Sequence, residues 1–362
     1  MNRPLRFAII MSTEVGLRTH YLNWRSHFPT DLGIEPHWIV VDYWKEGGRL
    51  ERLPLPTGVK SRLRAQIEID EGLSQGPFDA TLIGVHSALA SRANYLRKNP
   101  CYMTFDVTPK QLHDFGDFYG KYPSRISAIE DMKHRRRAVS YRECRLLFPW
   151  SRWACESAVA DYGASADRMR IVPPGVDLGV WSPEGKNVKA GKRICDILFV
   201  GGDFERKGGH MLLEWARSTS AKGWRLHIVT RDDIHSSDER ITIYHNLSSN
   251  DPELIKLYHH ADVFALPTLA DCYSIAGIEA MAAGLPCIIS AVGGTTDVIR
   301  DGQTGYLVPL RDGRVFGEKL DELIADPRKR RAMGEAARID AEVRYDASKN
   351  IRKILIAIKE SL

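Results

Sequence analysis

Two doubly wound α/β domains are the fold this sequence predicts, and three observations predict them. Short apolar runs alternate with helical stretches along the whole chain, the pattern of a parallel sheet covered on both faces. A length of 362 residues exceeds what one core usually supports and suits two. The alternation is interrupted once, at PPGVDLGVWSPEG (173–185), where three prolines and three glycines break regular structure. The expected division is therefore a first domain over 1–175, a second over 176–345, and a closing helix over 346–362.

The elements follow in order. RFAIIM (6–11) is a first strand, leading through a loop with Gly16 into a helix. HWIVVDY (37–43), DATLIGV (79–85), CYMTFDVT (101–108), RLLFPW (145–150) and RMRIVPP (168–174) continue the series to six. Beyond the Pro/Gly stretch, taken as an interdomain linker, come ICDILFV (194–200), RLHIVT (225–230) and RITIYHN (240–246). DPELIKLYHHA (251–261) reads as a helix with Asp251 as N-cap and Pro252 at the first helical position. Strands DVFALPT (262–268), PCIIS (286–290) and GYLVP (305–309) follow, then two helical segments divided near Pro327. In the last stretch Ile351, Leu355 and Ile358 fall at i, i+4 and i+7, one buried stripe of a helix.

The bulk numbers narrow the function. A hydrophobic content of 43% with 27% charged residues is that of a soluble globular protein. No apolar run approaches a membrane span, and a first strand that begins this early leads us to expect no targeting segment. Six scattered cysteines without a C-x-x-C pair read as reduced thiols, hence a cytoplasmic setting. A net charge of +5 fits anionic ligands or a membrane surface and does not call for nucleic acid.

Ligands of doubly wound sheets bind at the carboxyl ends of the strands, so the loops after strands are the ones to read. DCYSIAGIEAMAAGLP (271–286) puts Asp271 in a loop and Glu279 on the small-residue helix that follows. Ser274, Ala276 and Gly277 lie where unpaired helix N–H groups and the helix dipole favour an anion. GGDFERKGG (201–209) sets Arg206 and Lys207 in a glycine-rich turn after another strand. It is neither a Walker loop nor a G-x-G-x-x-G fingerprint. Phosphate on those N–H groups, with acids beside it for polyol hydroxyls, describes a nucleotide-sugar site. An ordinary capped helix and a solvated turn are the plain alternatives.

FVGGDFERKGG, ALPTLADCYSIAGIEAMAAGLP and PPGVDLGVWSP together resemble the family 4 glycosyltransferases of the GT-B fold, two Rossmann-like domains facing across a cleft. The likeness is strongest from about Phe148 to Pro309. The family's two glutamates separated by seven residues correspond to Asp271 and Glu279, and its lysine to Lys207. Its leading arginine is Gly202 here, leaving Arg206 as the expected replacement. The resemblance implies retention at the anomeric carbon, no metal or other cofactor, and a UDP- or GDP-linked donor held by the second domain. Glu279 would hold the ribose. Asp271 and the amides of Tyr273, Ser274, Ile275 and Ala276 would hold sugar and phosphate, and Gly16 would approach the phosphate. The base would lie near Thr230, Arg231, His245 and Asn246. It also implies that the closing helix crosses back to the first domain.

The first domain would bind the acceptor, a glycan or lipid-linked hydroxyl. Asp106 stands where relatives often carry a sugar-contacting histidine, and could orient a hydroxyl or stabilise ring charge. His86 is a candidate cleft residue, and His20 reads as a helix-face histidine. KHRRRAVSYRECR (133–145), with Arg136 and Arg137, reads either as a solvated helix face or as a patch for anionic lipid. Two other functions remain open: a catalytically silent nucleotide-sugar-binding protein, and a dinucleotide-dependent oxidoreductase, which lacks its fingerprint here.

Overall fold

The computed structural model describes residues 3–14, 16–84, 92–120, 122–124, 126–183 and 194–362. The chain divides into two compact units, residues 1–173 with 348–362, and residues 174–347.

Among the described residues the first unit is built on a five-stranded sheet in the order β2-β1-β3-β4-β5. Its strands are β1 (Leu5–Ser12), β2 (Ile34–Val41), β3 (Ala80–Ile83), β4 (Cys101–Phe105) and β5 (Leu146–Pro149). All pair in parallel, from Leu5↔Ile34 at one side to Phe105↔Pro149 at the other. Ile10, Ile83, Met103 and Leu147 are wholly buried, as strands covered on both faces require. β2 starts three residues before the expected strand and includes Pro36, tolerated because this strand lies at the sheet edge. The sixth strand expected over 168–174 does not form. Met169 makes one bridge to Leu147, and the amides of Arg170 and Val172 bond to β5. Pro173 and Pro174, lacking N–H groups, cannot extend the ladder.

The closing helix, Ala347–Glu360, belongs to this unit from Ser348 onward. Ile351, Leu355 and Ile358 are buried as their spacing requires, joined by Ile354. Polar ties fix its angle: Arg352 pairs with Asp31 at 2.6 Å, and Lys359 Nζ donates to Leu32 O at 2.9 Å. Tyr102 OH meets Ser361 Oγ at 2.9 Å, and Arg145 donates to Ser361 O at 2.8 Å.

The second unit carries a six-stranded parallel sheet, order β11-β10-β9-β6-β7-β8. Its strands are β6 (Cys195–Val200), β7 (Trp224–Thr230), β8 (Ile241–His245), β9 (Val263–Leu266), β10 (Cys287–Ser290) and β11 (Gly305–Val308). The central strands β6 and β9 are neighbours although 62 residues of chain lie between them, so the loops that leave them lie side by side. Asp251 caps the helix Pro252–His260, accepting from Glu253 N at 2.8 Å. The stretch taken as a linker is no loose tether within its described part. Val176 and Ala347 exchange backbone bonds with Tyr345 and Val176, and Trp181 is buried edge-on against Tyr258, centroids 5.0 Å apart. An indole of that size gains more from the core than from solvent.

Candidate functional site

The loops that leave β6, β7 and β9 at their carboxyl ends are tied together. Leu269 N donates to Arg206 O at 2.8 Å and Phe204 N to Asp232 Oδ2 at 2.7 Å. Glycines permit this closeness. At Gly208, φ is +76° and an added Cβ would lie 1.9 Å from Pro267 O, so only glycine fits the turn. At Gly201 a Cβ would meet the Lys207 Cβ at 2.7 Å, so its absence lets the lysine stem lie across the strand end.

Within this frame Lys207 Nζ reaches Asp271 Oδ2 at 2.5 Å, with side chains 16% and 5% exposed. A nearly dry, charge-assisted contact of this kind holds both side chains in place. Ser274 caps the helix Ile275–Ala282, its Oγ accepting from Gly277 N at 3.2 Å. The amides of Ile275 and Ala276 precede the first intrahelical bond, from Ile278 N to Ser274 O, and are presented at the positive end of the helix. Tyr273 faces away. Its hydroxyl bonds to that of Tyr345, which donates to Val298 O at 3.3 Å, so Tyr273 has only its backbone to offer a ligand.

Glu279 is buried on the same helix, and Tyr258 OH donates to its Oε2 at 3.1 Å and to Ala276 O at 3.4 Å. Burial pushes the carboxyl up to about 8 against the opposing pull of the tyrosine bond. Glu279 is therefore chiefly protonated at neutral pH. A raised carboxyl adds stability that is complete below its unfolded value, near 4.5, and is lost as pH rises through about 8. Glu279→Gln, neutral at every pH, is expected to remove this alkaline decline. Urea unfolding of both proteins at pH 5 and pH 9 checks it, and equal slopes would contradict the assignment.

Arg206, expected to replace the arginine missing at Gly202, is already engaged. Its Nε donates to Asp203 Oδ2 and its Nη1 to Ala270 O, both at 3.0 Å. It fastens two loops. Thr230 is buried at the end of β7 and accepts from Asp232 N at 3.3 Å, while Arg231 is exposed and donates to Gly202 O at 3.4 Å. Asn246 is exposed with φ of 64°, a turn conformation asparagine tolerates.

In the first unit, Gly16 has φ of 90° and open space around it at the start of the helix Leu17–Ser26. Asp106 lines a cavity at the carboxyl ends of β1 and β4 with Ser12, Thr104, Trp150 and His20. His20 thus sits on the inward face of its helix. Its ring lies 4.6 Å from that of Trp150, burial pulls it down to about 3, and neither ring nitrogen has a hydrogen-bond partner among the described residues. His86 lies outside the described residues. The basic run does not act as one face. Arg137 pairs with Glu130 at 3.1 Å, Arg142 donates to Tyr162 O, and Arg145 ties the closing helix. Arg135 and Arg136 stay exposed beside exposed Ile129 and Met132. Among the described residues no cluster of three metal-ligating side chains occurs, and no helix is long and apolar enough to cross a membrane.

Sequence reasoning missed Tyr258 and Asp203. Tyr258 shares the apolar face of its helix with Leu254, which signals burial but not a bond to Glu279. Asp203 sits three residues before Arg206, a spacing common in turns and silent about function.

Two parallel sheets of Rossmann type, the second carrying this loop cluster at its carboxyl edge, make this a protein of the GT-B class of fold. Residues 186–340 match the family described as Glycosyl transferases group 1. The chain is 29% identical over 252 residues to the D-inositol 3-phosphate glycosyltransferase of Pseudarthrobacter chlorophenolicus, covering 60% of this chain and 57% of that one. It spans about half the length of the curated relatives it matches. Sucrose-phosphate synthase from Thermosynechococcus elongatus superimposes with a TM-score of 0.77 at 16% identity, over 98% of both chains. HepE of Anabaena, solved with UDP-glucose, does so at 0.67 and 13% identity, over 98% of this chain and 100% of that one.

Proposed function

We propose that this protein is a glycosyltransferase that moves a sugar from a UDP- or GDP-linked donor to an acceptor hydroxyl, with retention and without a resident metal. The observation that carries the reading is the Lys207–Asp271 pair at the opening of the helix that bears Glu279. The group 1 match spans all three residues, and the solved HepE complex lends support to a nucleotide sugar as donor.

The chemistry follows from the charges. Breaking the sugar–diphosphate bond builds negative charge on the leaving oxygen and positive charge on the ring. Lys207 and the amides of Ile275 and Ala276 stabilise the first; Asp271 faces the second and orients sugar hydroxyls. A preorganised cation and a helix terminus already in place need no reorganisation as that charge develops. Glu279 exchanges hydrogen bonds with the ribose hydroxyls. The acceptor, a glycan or lipid-linked alcohol, is assigned to the first unit, where Asp106 and His20 line its cavity. Exposed Ile129 and Met132 beside Arg135 and Arg136 support approach to an anionic membrane surface.

Thermal-shift screening tests the donor class. UDP or GDP at about 100 times its Kd should stabilise the protein by about 2.7 kcal/mol, with no effect of NAD. Glu279→Ala should lose that shift together with donor turnover. Stabilisation by NAD, or full turnover by Glu279→Ala, would sink the reading; binding without any turnover would leave a nucleotide-sugar-binding protein.

A further inference from the structure

We propose that Arg231, at the end of β7, is a second cation, beside Lys207, that grips the diphosphate of the donor, taking the place left open at Gly202. The inference rests on the nucleotide-sugar reading of the site and adds to it a named phosphate-binding residue.

Three cations stand on the tied loops at this edge of the sheet: Arg206, Lys207 and Arg231. The first two are balanced. Arg206 is paired with Asp203 at 3.0 Å, and its Nη1 is used by the Ala270 carbonyl. Lys207 is paired with Asp271 at 2.5 Å. Together these four side chains carry no net charge. Lys207 and the helix amides serve the leaving oxygen, but a nucleoside diphosphate brings at least two negative charges and calls for a further cation whose charge is not already balanced.

Arg231 meets that need. Its side chain is exposed and folds back over the β6 loop, where Nε donates to Gly202 O at 3.4 Å. A Cβ on residue 202 would stand 2.8 Å from the Arg231 Nε and 3.1 Å from Nη2. The guanidinium therefore occupies the volume that any side chain at 202 would fill, and glycine is what clears it. The bond to a neutral carbonyl orients the group without cancelling its charge. Among the described residues neither neighbouring carboxylate forms an ion pair with Arg231: Asp232 turns to Phe204 N at 2.7 Å, and Asp233 to the His235 ring at 3.1 Å. An arginine held this way keeps its outer nitrogens for two phosphate oxygens, a geometry lysine cannot match.

The test is calorimetric titration of the intact chain with UDP and GDP, and with uridine and guanosine by competition, in wild type, Arg231→Ala and Arg231→Lys. Arg231→Ala is expected to weaken the preferred diphosphate about 10- to 100-fold, the range of a charged hydrogen bond. Its nucleoside affinity should stay within about twofold, and Arg231→Lys should recover only part of the loss. Gly202→Arg combined with Arg231→Ala should restore diphosphate affinity by refilling the same volume from the other side. Unchanged diphosphate affinity in Arg231→Ala, or an equal loss for diphosphate and nucleoside, would overturn the inference and leave the donor reading standing. A wild-type chain that binds neither diphosphate overturns that reading itself.

Discussion

Lys207→Ala is expected to lower sugar transfer about 10²- to 10³-fold, the usual cost of removing one preorganised donor from a developing oxyanion. The variant also leaves Asp271, 5% exposed, without its partner. Breaking a buried pair from one side costs about 3–5 kcal/mol, since the remaining charge has lost both water and counterion. Activity and stability therefore fall together in the single variant, and a loss of folded protein could pass for a loss of chemistry. The double variant Lys207→Ala with Asp271→Asn separates them. It should recover much of the stability, because the uncompensated charge is gone, and recover none of the transfer. Initial rates and urea midpoints on wild type, the two single variants and the double variant close the cycle. Transfer regained along with stability would show that Lys207 acts only as a counterion to Asp271.

Gly208→Ala is expected to destabilise the second unit by about 3–5 kcal/mol. Two costs add. The first is backbone strain, since φ is +76°, a region that costs alanine about 1 kcal/mol. The second is overlap: the new Cβ would stand 1.9 Å from the Pro267 carbonyl oxygen, a backbone atom that cannot swing aside. Gly302→Ala is the control, with φ of +73° and open space around it, and should show the strain alone. The difference between the two unfolding free energies measures the overlap. Equal effects would mean that the β6 and β9 loops do not depend on this contact. Because Gly208 adjoins Lys207, whatever shift rescues the alanine variant would also displace the Lys207–Asp271 pair and weaken donor binding.

The strands of both sheets were largely legible because their residues are buried on both faces and read as continuous apolar runs. The exception, 168–174, has the apolar content of a strand but ends in Pro173 and Pro174, and backbone donors outrank side-chain hydrophobicity in a ladder. The resemblance put Lys207 and Asp271 in one donor site but did not show that they pair directly across 64 residues; the physical cause of the pair is the adjacency of β6 and β9. The inward burial of His20 was not legible. A lone histidine on an amphipathic helix gives no sign of the Trp150 ring it packs against, which comes from another strand end.

Local order was set by the chain alone: apolar runs fixed where strands lie, Asp251 and Ser274 where helices start, and glycines where the backbone turns sharply. Which cation is free for a phosphate was decided only by the tertiary structure. Arg206 and Arg231 are equally charged on paper. Among the described residues one meets Asp203, three residues away, and the Ala270 carbonyl after β9, while the other meets the Gly202 carbonyl, because strand order places β9 and β7 on opposite sides of β6. Charge is a property of the residue, but its availability depends on what the fold brings within hydrogen-bonding distance.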